Sequence, residues 1–218
     1  MQPNMAQVLN TLAHEIRTPL AVSQGYLKLY AEGRLTTPDA QQRALQQTRK
    51  ALGVIAVLCT DMGQVSALAE AGEPALAERL DATALAHRLK ATPELAAASW
   101  TEALPTEARI ATNAPADLVR AIGVVIKAAF DEDKGSPHAV DVSTHDDALV
   151  IRAGTPAALS ALSPEPDGPG AAPVNTVRGG KGLSLIWAAF VAEQHRIQMW
   201  NHQAHQASVG VRIPLVTV

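Results

Sequence analysis

Leu12-Ala13-His14-Glu15-Ile16-Arg17-Thr18-Pro19-Leu20 is the stretch on which the reading of this chain turns. It lies in a longer segment, about 4–32, where Met5, Val8, Leu9, Leu12, Ile16, Tyr26, Leu27 and Tyr30 recur at helical spacing. On that helix Leu12 and Ile16 share the core-facing side. His14 is two residues from each, about 200° around the axis, and so faces solvent. Thr18 falls one turn further along the face of His14, and Glu15 stands beside the ring. Pro19 brings no N–H to the carbonyl of Glu15, so the helix is expected to bend or loosen just past the histidine.

The grouping suits phosphorylation of a histidine. The attacking imidazole nitrogen must be neutral, and a neighbouring carboxylate can take the proton from the other nitrogen. The Thr18 hydroxyl can orient a water near the phosphoryl group. A lone exposed histidine on a helix would carry no such meaning; the complete string does.

Outward from this helix, Gly33 stands where a C-cap glycine ends it. Thr37-Pro38 then supplies an N-cap and a first-turn proline for a second helix reaching about Ala71. Leu45, Leu52, Ile55, Leu58, Met62 and Val65 are its apolar positions, and Gly72 and Pro74 close it. Two such helices make an antiparallel hairpin that cannot bury its apolar stripe alone. Pairing two copies into a four-helix bundle solves this, so a homodimer is expected.

The 218 residues allow a second domain, and 47% hydrophobic residues with only 3% aromatics predict an aliphatic, Ala- and Leu-rich interior. The boundary is placed between 76 and 77, giving a hairpin domain over 1–76 and a second domain over 77–218. In the latter, Asp81–Lys90, Pro115–Phe130 and Gly182–Gln194 read as helices. Ala139–Ser143 and Ala148–Arg152 alternate as strands around a His145-Asp146-Asp147 turn, and Arg196–Asn201 with Ser208–Leu215 makes a final strand pair. Thr155–Arg178, rich in Pro, Gly, Ala and Ser, reads as a mobile loop. The expected class is α+β, with helices on one face of a mostly antiparallel sheet.

A net charge of −3 gives no electrostatic reason to expect nucleic-acid binding. Cys59 is the single cysteine, which excludes an internal disulfide and fits a reducing, cytoplasmic setting. The apolar runs near Ala51–Cys59 and Gly182–Ala192 are read as too short to span a bilayer, and the N-terminus has no signal-peptide pattern, so no membrane partner is expected. With the hairpin starting at the N-terminus, a stimulus is expected to arrive through a partner. His195, His202 and His205 lack cysteine or carboxylate neighbours at ligand spacing, so no metal site is expected.

The string around His14 closely resembles the His-Glu-x-x-Thr-Pro-Leu box of bacterial two-component sensor histidine kinases, with Ala13 where serine is usual. The resemblance implies that His14 carries the phosphoryl group, that Glu15 is the base in autophosphorylation and that Thr18 assists dephosphorylation of the response regulator. Arg17, Ala21 and Gly25, near His14 on the same helix, are the expected docking residues for a receiver domain. The element order from Leu80 onward resembles the ATP-binding α/β sandwich of that family.

The sandwich's motifs are degenerate. Lys127 stands where the family's asparagine holds Mg²⁺, and an ammonium repels a cation. Gly123 replaces an earlier asparagine of the same pattern. Arg152 stands where an aspartate accepts from the adenine amine; Gly154 keeps the following glycine, and Pro156 replaces the next. The lid phenylalanine has no counterpart between Thr155 and Arg178. Arg178-Gly179-Gly180-Lys181-Gly182-Leu183-Ser184-Leu185 resembles the family's second glycine box, so Lys127, Gly154, Gly180 and Gly182 are the candidates for a degenerate nucleotide site.

The favoured expectation is a histidine phosphotransfer protein of a phosphorelay, exchanging phosphoryl groups with receiver aspartates and needing no cofactor of its own, with Mg²⁺ on the receiver. The alternative is an unorthodox soluble histidine kinase using ATP–Mg²⁺, which an intact Glu15 favours. The third is a non-catalytic dimeric adaptor that binds receivers.

Overall fold

The computed structural model describes residues 5–70, 75–105, 107–175 and 182–216. Two compact units separate among them, one holding 5–70 and 182–187, the other the remaining described residues.

The first unit is built on two helices, α1 (Met5–Ala31) and α2 (Pro38–Glu70), packed together as a hairpin. Their junction follows the sequence signals closely. Gly33 takes φ 66°, and the N–H groups of Arg34 and Gly33 donate to the carbonyls of Leu29 and Tyr30. This pair of bonds satisfies the last carbonyls of α1 in the Schellman pattern. Thr37 Oγ1 then accepts from the N–H of Ala40 at 3.2 Å and starts α2 at Pro38. The expected loosening at Pro19 does not interrupt α1, which continues for twelve residues to Ala31. Ser23, one turn on, donates its hydroxyl to the Pro19 carbonyl at 3.0 Å. By length and composition α2 could cross a bilayer, contrary to the reading of its apolar run as too short. It packs instead on α1 and buries Asp61.

The second unit is an α+β sandwich. It comprises β1 (Glu78–Asp81), α3 (Ala82–Lys90), β2 (Ser99–Ala103), β3 (Arg109–Thr112), α4 (Pro115–Phe130), β4 (Ala139–His145), β5 (Ala148–Gly154), α5 (Pro156–Ala161) and β6 (Ala171–Pro173). It closes with α6 (Gly182–Gln194), whose first half falls in the other unit, then β7 (Gln198–His202) and β8 (His205–Pro214). The main sheet has the order β2-β4-β5-β8-β7-β6, antiparallel except for the parallel β2–β4 pair, while β1 and β3 form a separate antiparallel ribbon.

Alternation along the strands sorts the sheet into two faces. Val140, Val142, Ile151, Val211 and Ile213 on one face are almost fully buried, and α4, apolar along its inner side, packs on β5 and β8 there. The other face carries Asp141, Arg152 and Val150, and it is covered by a segment expected to be a mobile loop. Thr155 caps α5 by accepting from the N–H of Ala158 at 3.3 Å, with Pro156 in the first turn. Leu159 and Leu162 then pack with Val150 and Trp200, and β6 pairs with β7. Helices therefore lie on both faces of the sheet rather than one. Residues 176–178 of the expected loop lie outside the described residues.

Candidate phosphoacceptor site

α1 presents His14, Thr18, Ala21 and Gly25 as one continuous exposed line, since positions four, seven and eleven residues apart return to the same side of a helix. Arg17 is exposed beside them, and Glu15 is half-buried next to the histidine. The imidazole is thus open to solvent, with Glu15 its neighbour along the chain. Among the described residues, Gly25 has no neighbour within 4 Å of where a Cβ would stand, so packing among them does not call for a glycine there. Leu12 and Ile16, expected at the bundle core, are only half-buried in the single chain.

The opposite side of α1 is apolar and open. Met5, Leu9, Leu20 and Leu27 are exposed on it, spaced around half-buried Ile16 by alternating steps of four and seven residues. All the large hydrophobic side chains exposed among the described residues belong to α1 or α2.

Among the positions read as a degenerate nucleotide site, the two cations have carboxylate partners. Lys127 Nζ lies 2.6 Å from Asp131 Oδ2, one turn along α4, and Lys134 approaches the other oxygen of that carboxylate at 3.8 Å. Arg152 donates through Nη2 and Nε to Asp141 Oδ2 at 2.6 and 3.2 Å, a cross-strand pair. Gly154 is required by packing: a Cβ there would come within 2.9 Å of Ser208 Cα, on the partner strand. Gly182 opens α6, and Gly180 lies outside the described residues. Neither Asp141 nor Asp131 belongs to a motif, so their pairing with the two cations was not legible in the sequence.

A buried histidine lies apart from this chemistry. His195 Nδ1 is 2.8 Å from the Val191 carbonyl and Nε2 is 3.0 Å from Thr112 Oγ1, which also accepts from the N–H of Ala114. With Nδ1–H donating to Val191, Nε2 accepts the Thr112 hydroxyl, and every group is satisfied by the neutral ring. Burial pushes the His195 pKa below its ordinary 6.5, against smaller upward effects of the Val191 carbonyl and the Asp117 charge.

Comparison with known proteins bears on the hairpin first. Residues 4–70 match the His Kinase A (phospho-acceptor) domain. The match spans the hairpin, less than half of the chain. The whole chain has the fold of a histidine kinase. Acinetobacter baumannii histidine kinase AdeS is similar over 94% of this chain and 98% of its own, at TM-score 0.58 and 16% identity. ShkA, solved full-length in complex with AMPPNP, is similar at TM-score 0.55 and 18% identity; the match covers all of this chain and 47% of ShkA. No curated protein matches the chain.

Proposed function

We propose that this protein is a histidine phosphotransfer protein of a two-component phosphorelay, with His14 as the residue that carries the phosphoryl group. The neutral imidazole attacks the phosphorus of a receiver's aspartyl phosphate. A P–N bond forms, the P–O bond breaks, and the aspartate leaves as a carboxylate. Glu15 holds the proton on the other ring nitrogen, and the reverse step loads a second receiver. The chain supplies no metal to this step; Mg²⁺ sits with the receiver and offsets phosphoryl charge there. The setting is the cytoplasm, consistent with the exposed, unpaired Cys59.

The observation that carries this reading over a kinase is the Arg152–Asp141 pair. A kinase of this fold needs a carboxylate free to accept from the adenine amine at position 152. The chain offers a guanidinium, already spent on the only carboxylate opposite it in the β4–β5 register. The intact Glu15 beside His14 favours the second reading, an ATP-dependent kinase. Receiver docking falls on Arg17, Ala21 and Gly25 beside His14. The open apolar side of the hairpin supports a homodimeric four-helix bundle, which would leave the His14 face outward.

The deciding experiment offers the purified protein a ³²P-labelled receiver and, separately, labelled ATP with Mg²⁺. Acid-labile label from the receiver alone, absent in His14→Ala, is the expected result. Label from ATP on His14 would establish the kinase. No label from either source would leave an adaptor.

A further inference from the structure

We propose that His145, Asp146 and Glu165 form a binding site for one divalent transition-metal ion of the zinc class. The site is independent of His14 and of the phosphotransfer reading.

One ligand atom from each of the three side chains lies within 4.8 Å of the other two. His145 Nδ1 is 3.3 Å from Asp146 Oδ2 and 3.7 Å from Glu165 Oε1. Tetrahedral zinc with bonds of about 2.0–2.1 Å sets its donors roughly 3.4 Å apart. Both separations from the imidazole already sit near that spacing, so only the two carboxylates need to draw closer. Both acid side chains have exposed surface, which allows this and leaves a coordination position for water.

The charges point the same way. A neutral imidazole has at Nδ1 either one hydrogen or one lone pair, so it can serve at most one of the two carboxylates that face it. The carboxylates meanwhile repel each other. A divalent cation accepts from all three at once and removes the repulsion. The next residue of the turn, Asp147, is directed to Arg212 at 3.7 Å and is not counted among the donors.

The donors come from separate pieces of the fold. His145 ends β4 and shares the covered sheet face with Asp141; Asp146 sits in the turn at φ 52°. Glu165 belongs to the cover itself, and its backbone is fixed: its N–H donates to Ser163 Oγ at 3.1 Å, and the Ser163 carbonyl accepts the buried Trp200 indole N–H at 3.0 Å. An ion here would clip the cover to the β4–β5 turn. The absence of any metal site expected from sequence rested on local spacing around His195, His202 and His205. The separation of twenty residues between His145 and Glu165 concealed this set.

The test titrates the untagged full-length protein, stripped with chelator, with Co²⁺ followed by visible absorption and with Zn²⁺ followed by calorimetry. The expected result is one equivalent bound, with Co²⁺ bands typical of a tetrahedral nitrogen–oxygen site. His145→Ala and Glu165→Gln should each weaken binding by about tenfold or more, extending the effect known for outer ligands to direct ones. His205→Ala, at the other turn, should bind as the parent does. Circular dichroism checks the fold of each variant, and either correctly folded ligand variant suffices to decide. No saturable binding, binding unchanged in the ligand variants, or loss in His205→Ala would overturn the proposal.

Discussion

Trp200 lies flat against Gly210 across the β7–β8 pair, so that any Cβ at 210 would overlap the indole. The ring is almost fully buried, and its N–H donates to the Ser163 carbonyl of the cover segment. A glycine on one strand thus makes room for the side chain that fastens the cover to the sheet.

Gly210→Ala should therefore destabilise the protein by about 1–3 kcal/mol, the usual cost of forcing volume into a packed interior. Trp200→Phe should cost a similar amount by leaving the buried Ser163 carbonyl without its donor, about 1–3 kcal/mol. Urea unfolding followed by circular dichroism measures both. Midpoints equal to the parent's would mean that the cover contributes nothing to the stability of the sheet.

His195 gives the stability a pH dependence whose sign follows from its surroundings. Burial holds its pKa in the folded protein below the ordinary 6.5, so the unfolded chain binds the proton more readily. The stabilisation is complete above pH 6.5. It is lost as pH falls below 6.5 toward the depressed folded value, because the unfolded state takes up protons first. A proton on Nε2 would also face the hydroxyl of Thr112, which must then turn away. Unfolding midpoints measured from pH 8 down to about pH 5 should fall less steeply in His195→Gln than in the parent. Parallel curves would assign the acid sensitivity to other groups.

Much of this architecture was legible because its signals are local. The Schellman turn at Gly33, the Thr37 cap and the boundaries of α4 all stand where the residues said they would. The same Thr-Pro signal that starts α2 also starts α5 at Thr155-Pro156, where a run of Ala, Ser, Gly and Pro hid it. Six residues of α5 carry too few apolar positions to show a period, and their helix depends on packing against Val150 and Trp200. β1, β2 and β3 were missed for a related reason. β2 is an exposed edge strand, without the apolar alternation that marks a half-buried one. At the candidate site, the exposure of His14 and its line of neighbours follows from helix geometry alone. The pairing of Arg152 with Asp141 does not, because it depends on strand register, which brings together residues eleven apart.

The open apolar side of the hairpin makes assembly testable through Leu52, which is 51% exposed in the single chain. In a two-copy bundle that side chain would be buried, and a carboxylate there would lose its water without gaining a partner. Such burial costs several kcal/mol. Leu52→Glu should convert the dimer to a folded monomer, read as a halved mass by light scattering. A parent protein that is already monomeric, or a variant that still dimerises, would remove the bundle from the account.

Gly25 separates the stability of the helix from its use. Glycine inside a helix costs about 1 kcal/mol against alanine, yet among the described residues no atom outside its own helix turn approaches the space a Cβ would take. Within the free protein, then, Gly25→Ala should be stabilising, by about 0.5–1 kcal/mol in a chemical unfolding curve. A receiver docked over His14 would cover this line of α1 and would use the room the glycine leaves. Gly25→Leu and Ala21→Leu should leave dimer mass near the parent's, with an unfolding midpoint near the parent's for Ala21→Leu and at or above it for Gly25→Leu, while slowing transfer from a labelled receiver. The order expected is parent, then Gly25→Ala, then the two leucine variants. Stopped-time transfer assays with matched receiver concentrations would resolve it. Transfer rates unchanged in both leucine variants would move the docking surface away from the Thr18–Gly25 line.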